Sequence, residues 1–123
     1  MKKKESVLRE KSYKFAIRIV RLYQYLRKEY NEYDLSRQIL RSGTSVGAII
    51  REAEYAQSNA DFISKFSISL KEANETDFWL SLLKDTDYIE EKLYDSLFSD
   101  CDEIISMLVS TIKTMKGKKT LNS

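Results

Sequence analysis

An all-α, antiparallel up-and-down four-helix bundle that assembles into an oligomer is the fold class predicted by three observations. Proline is absent and only three glycines occur in 123 residues, so little in the chain interrupts a helix. Apolar residues recur at helical spacing through four long segments. The connections between those segments are short, which favours neighbouring helices running in opposite directions. At 42% hydrophobic and 33% charged residues, the chain can fill one core and is too apolar to be disordered. The expected organisation is a flexible basic N-terminus over residues 1–11, the bundle over 12–116, and a flexible tail over 117–123.

The first helix is expected from Ser12, as N-cap, to Tyr30. Phe15, Ile19, Leu22 and Leu26 share one stripe of it, widened by Ala16, Val20 and Tyr23. The second is expected from Asp34 to Tyr55, burying Leu35, Ile39, Val46, Ile50 and Ala53. Its middle carries Gly43, Ser45 and Gly47, and two helical glycines cost about 2 kcal/mol relative to alanine. Close approach of a neighbouring helix backbone is the expected compensation, which makes Gly43, Ser45 and Gly47 a helix-packing motif. After the turn Gln57-Ser58-Asn59, a third helix is expected from Ala60 to Lys84, capped by Asn59, with Ile63, Phe66, Leu70, Ala73, Leu80 and Leu83 inside. The fourth is expected from Glu90 to Lys116. Leu93, Leu97, Cys101, Ile104, Leu108, Ile112 and Met115 form one seam of it, and Tyr94, Phe98, Ile105 and Val109 a second. A monomeric bundle needs one stripe per helix, so the doubled seam predicts a further partner.

Enzyme chemistry finds little support. Without histidine there is no Ser-His-Asp or Cys-His arrangement, and the Glu-x-x-His ligands of di-iron bundles are missing. Glu52, Glu54, Glu72 and Glu75 recur at helical spacing. Glu52, Glu72 and Glu75 are expected to pair with Arg41 or Arg51 or to face water, a carboxylate-only magnesium site being the alternative. Gly43 to Gly47 lacks the Lys-Ser/Thr of a phosphate loop, and no strand precedes it. Cys101 is expected as a small core residue, and Phe78 and Trp79 as core or interface rather than base-stacking platforms. The chain is thus expected to be non-catalytic, with no cofactor and no metal. A single cysteine, no apolar run of bilayer length and no signal-like segment after the basic start point to a cytoplasmic protein without membrane contact.

Charge supplies the functional signal. Residues 1–58 carry a net charge of +6 and residues 59–123 a net of −4. Such a split marks either a polyanion-binding face or opposite charges meeting between helices. Lys11, Lys14, Arg18, Arg21 and Lys28 share a sector of the first helix, expected to be free of acids. Arg37, Arg41 and Arg51 add a flank on the second, and Lys2, Lys3, Lys4, Lys118 and Lys119 extend the charge at the ends. These cations form a candidate nucleic-acid-binding surface, led by phosphate contacts rather than base readout.

One further pattern covers much of the chain. Gln38-Ile39-Leu40-Arg41-Ser42-Gly43-Thr44-Ser45-Val46-Gly47-Ala48 is followed by Arg51-Glu52-Ala53, then Asp61-Phe62. Leu70 to Thr76, Trp79-Leu80, Tyr88-Ile89 and, more loosely, Met107-Leu108 continue it. This succession resembles the four-helix bundle family named after proteins encoded in intervening sequences of bacterial 23S ribosomal RNA genes. The resemblance implies a homopentameric ring, no enzymatic activity and a suspected role in nucleic-acid binding. A related group serves as accessory proteins to reverse transcriptases of diversity-generating retroelements, so an adaptor ring docking onto such a partner is the alternative function. Ile49 departs from the pattern, because the family often has Asn there.

Overall fold

A computed structural model describes residues 3–122, with side chains for 5–118. The side chains of Lys2, Lys3, Lys4 and Lys119 lie outside the described residues. Four helices and no strand occur among the described residues: α1 (Lys3–Tyr30), α2 (Asp34–Ala53), α3 (Asn59–Asp85) and α4 (Glu91–Asn122). They form a bundle in which α1 and α3 each pack on both α2 and α4, while the diagonal pairs stay apart. The α1–α4 seam is the thinnest of the four.

The expected stripes line the core. Phe15, Ile19, Leu22 and Leu26 of α1 meet Ile39, Val46, Ile50 and Ala53 of α2 there, with Phe66, Ala73, Leu80 and Leu83 of α3. From α4, Leu97, Cys101, Ile104, Leu108 and Ile112 complete it. Five expected members fall short: Leu93 is exposed, and Leu35, Ile63, Leu70 and Met115 are only half-buried.

Helix ends differ from expectation for identifiable reasons. Ser12 is not an N-cap; α1 begins at Lys3, Leu8 is fully buried, and Ser12 sits inside the helix donating its hydroxyl to Arg9 O at 3.1 Å. Asp34 does not cap α2 either. The Glu32 carboxylate accepts from the amides of Ser36 (2.8 Å) and Asp34 (3.3 Å), while the Ser36 hydroxyl returns a bond to Glu32 O at 2.8 Å. Ser58 rather than Asn59 caps α3, accepting from Asp61 N at 3.1 Å, and Asp61 reciprocates on Gln57 N at 3.1 Å. At its other end Asp87 takes φ 67°, with Asp87 N on Lys84 O and Tyr88 N on Leu83 O, a Schellman closure. Helix α4 continues through Gly117 to Asn122 rather than ending at Lys116.

Candidate nucleic-acid interface

Small residues set how closely the helices carrying the cations approach. A Cβ built on Gly43 stands 2.8 Å from both Cγ atoms of Ile19, and one on Gly47 stands 3.1 Å from the backbone oxygen of Ser12. Both glycines therefore face α1, Gly47 against its main chain. Ser45 is half-buried and returns its hydroxyl to Arg41 O at 2.6 Å. On the α2–α3 side, the Thr76 hydroxyl lies 2.9 Å from Ser42 Oγ, and Ser69 donates to Val46 O at 2.9 Å. These satisfied buried hydroxyls take the space that larger side chains would need.

The expectation of an acid-free stripe on α1 does not hold. Lys11 reaches Glu103 of α4 at 2.8 Å, and Arg18 reaches Asp100 at 2.7 Å. Lys14 is paired within its own helix, to Glu10 one turn earlier at 3.0 Å, and holds that carboxyl below its ordinary value. Pairing with Glu103 in turn raises Lys11 above its usual range. The acids of α4 are invisible to a wheel drawn for α1 alone, whereas Glu10 stood in plain view at i,i+4 spacing. Arg41 bridges Glu72 (3.0 Å) and Glu75, as expected for those carboxylates. The Trp79 indole, donating at 3.1 Å, and Arg41 together hold the Glu75 carboxyl below its usual value.

What remains is a smaller cationic set. Arg21, Lys28, Arg37 and Arg51 are exposed and make no ion pair within 4.0 Å among the described residues. Arg51 lies 5.3 Å over the Tyr13 ring, a cation–π contact. Lys28 is in the last turn of α1 and Arg37 in the first turn of α2, so the short α1–α2 connection brings them to one end of the bundle. Arg51 stands about 21 Å further along α2, from the 1.5 Å rise per residue. Sequence reasoning missed Arg9, paired with Glu54 at 3.3 Å, and Arg27, which lies 4.5 Å over Tyr33 and 5.0 Å over Tyr23. Their i−4 and cross-loop tyrosines were the available signal for Arg27.

The aromatic residues divide. Trp79 is half-buried, but Phe78 is 58% exposed, the most exposed large hydrocarbon side chain among the described residues. Cys101 is buried, its thiol pushed up to about 12 by desolvation first and by nearby Asp77, Asp102 and Asp100 next. The second seam of α4 is half-buried, and its Tyr94 Oη meets Ser81 Oγ of α3 at 3.2 Å.

The family model for the 23S rRNA-intervening sequence protein matches residues 4–110. The chain belongs to that family. A solved structure of a protein with unknown function, from the S23 ribosomal protein family of Bacteroides thetaiotaomicron VPI-5482, is 56% identical. The match covers 89% of this chain and 98% of that one, with a TM-score of 0.88. No curated protein matches the chain. Within this intervening-sequence family member, the departing residue Ile49 is half-buried on α2, one position before the core residue Ile50.

Proposed function

We propose that this family member is a non-catalytic, cytoplasmic homo-oligomer, pentameric as the resemblance implies, that holds structured RNA or DNA by its phosphates. The observation that carries the reading is the exposed trio Lys28, Arg37 and Arg51, unmatched by carboxylates while their neighbours are paired. The helices are read as antiparallel: Ser12 faces Gly47 and Ile19 faces Gly43, so numbers rise along α1 as they fall along α2. Thr76 with Ser42 and Ser69 with Val46 repeat that order for α2 and α3. No described helix is long and apolar enough to cross a membrane.

The trio gives a quantitative expectation. Three phosphate contacts per engaged protomer imply a log–log salt slope of about −2.7, or about 40-fold weaker binding between about 50 and 200 mM salt. Repetition around an oligomer multiplies this by avidity. Anisotropy titrations with structured ribosomal RNA and duplex DNA at two salt concentrations measure it. Charge reversal at Lys28, Arg37 and Arg51 is expected to abolish the salt-sensitive component, and unchanged binding by that variant refutes the phosphate reading.

A protein-interaction adaptor is the second reading, favoured by Tyr13, Ile17 and Val20, exposed in succession along α1. A purified reverse transcriptase that forms no complex with the protein counts against it.

A further inference from the structure

The thin α1–α4 seam leaves an apolar slot of about 270 Å³ whose floor is Leu22 and Leu97 and whose rim is Tyr25, Leu93 and Arg21, with Arg18 at one side. Polar surface is nearly absent from it, and Leu93 and Tyr25 stand 37% and 42% exposed beside it. An apolar cavity of about 150 Å³ accepts a benzene ring, so the slot has room for an aromatic side chain. Across the bundle on α3, Phe78 projects into solvent, steadied by an edge-on contact with Trp79 at 5.0 Å. Apart from Trp79, no ring contact to it occurs among the described residues.

Charge matches the same two places. Arg21, on the slot rim, has no carboxylate within ion-pair distance. Next to Phe78, Asp77 carries a buried Oδ1 without a hydrogen-bond donor, and both burial and nearby Asp102 oppose its ionisation. No cation of the same copy lies within ion-pair distance of Asp77 among the described residues. Slot against slot sets Arg21 against Arg21, and knob against knob sets Asp77 against Asp77. Only the unlike pairing brings opposite charges together.

We propose that the slot receives Phe78 of a second copy of this chain, with Arg21 of the receiving copy meeting Asp77 of the entering one. The inference rests on the self-association reading above and names its two surfaces. Height along the bundle supports it. Ser81 lies beside Tyr94 at 3.2 Å and Ala73 O beside Cys101 at 3.4 Å, so Phe78 falls level with Leu97, the floor of the slot. Knob and slot at one level let successive copies rotate without climbing, and such a head-to-tail contact closes into a ring where that rotation divides a full turn.

Light scattering on sized fractions of three proteins tests this: wild type, Phe78→Glu and Leu93→Glu. Both substituted positions are exposed, and far-UV dichroism checks that helicity is kept. Wild type is expected to exceed the 14.4 kDa monomer mass, and each variant to run as a monomer. An equimolar mixture of the variants retains one intact knob and one intact slot, and is expected to form a species of twice the monomer mass. Arg21→Asp alone is expected to weaken assembly, and Arg21→Asp with Asp77→Arg to restore it. An assembled wild type with both variants equally assembled overturns these surfaces while leaving self-association standing. A monomeric wild type overturns both, and a mixture that stays monomeric overturns the head-to-tail pairing. The salt slope for RNA, read separately, bears on phosphate binding alone.

Discussion

Gly43→Ala sets two physical effects against each other at a single atom. Alanine in a helix interior is favoured over glycine by about 1 kcal/mol. The added methyl, however, would stand 2.8 Å from both Cγ atoms of Ile19 and 3.2 Å from its Cβ. Ile19 is fully buried and β-branched, so it has neither a free rotamer nor an empty neighbouring space to turn into. Forcing a methyl into such packing costs about 3 kcal/mol, the upper part of the usual overpacking range. The net expectation is a loss of about 2 kcal/mol. With unfolding entropy of about 2.1 cal/mol/K per residue, that corresponds to a Tm lower by about 8 °C. Ile19→Ala alone is expected to cost about 3 kcal/mol, yet it also removes the obstructing carbons. The double variant should therefore be about 3 kcal/mol more stable than the sum of the two single losses. Urea and thermal unfolding of the four proteins complete the cycle. A Gly43→Ala protein as stable as wild type, or losses that simply add, would refute close α1–α2 contact as the reason for this glycine.

Leu8→Ala is expected to cost about 2–5 kcal/mol, since Leu8 is fully buried; a loss below about 1 kcal/mol in urea unfolding contradicts an α1 that reaches the core before Ser12. The Cys101 thiol, buried and shifted to about 12, is expected to resist a thiol reagent at pH 8 until denaturant is added, and prompt labelling of the native protein refutes that placement. The Glu75 carboxyl titrates below its unfolded value of about 4.5, so its stabilisation is present above that pH and is lost as pH falls through the lower folded value. Because the Trp79 indole and the Arg41 guanidinium both lower it, Trp79→Phe and Arg41→Ala should each shrink that acid-side loss, as read from urea midpoints between about pH 3 and 6. Equal pH profiles for wild type and both variants would show the contacts to be inert.

How much of this was legible depends on whether a property belongs to one helix or to two. Phe15, Ile19, Leu22 and Leu26 were assigned inward correctly because burial follows a period that a single helix carries. Gly43 and Gly47 announced a close neighbour, although nothing local identified it as α1, reached through Ile19 and the Ser12 main chain. Helix starts were less legible. Ser12, Asp34 and Asn59 are all good capping residues, but Leu8 carries the core contact of α1 past Ser12, and Glu32 and Ser58 hold the better-placed acceptors. Tyr94 of the second α4 seam is legible as apolar but not as a neighbour of Ser81 on α3, because a wheel shows angle without showing which helix lies there. Phe78 illustrates the converse: its apolar character pointed inward or to an interface, and the packing left it exposed.

The charge split between the two halves of the chain follows from the same distinction. Lys11, Arg18 and Arg41 come from the basic half, while Glu103, Asp100, Glu72 and Glu75 come from the acidic half, and they meet across helix seams. Each such surface pair contributes little to stability, so the split is a weak source of folding energy. Its larger effect is on what the surface presents. A phosphate arriving at Arg18 must displace Asp100, whereas one arriving at Lys28, Arg37 or Arg51 displaces only water. Internal pairing therefore moves the polyanion-attracting charge away from the α1–α4 seam and onto the outer side of α2 and the end of α1. The seam itself is left apolar, with Arg21 unmatched at its rim. If self-association uses that seam and phosphate binding uses α2, the two activities occupy different surfaces and an oligomer can carry both at once. Removing the Glu103 carboxylate by Glu103→Gln then becomes informative, because Lys11 does not line the slot. Freed Lys11 is expected to steepen the RNA salt slope from about −2.7 toward about −3.6 while assembly persists. A slope that does not change would mean that Lys11 faces no polyanion even when released.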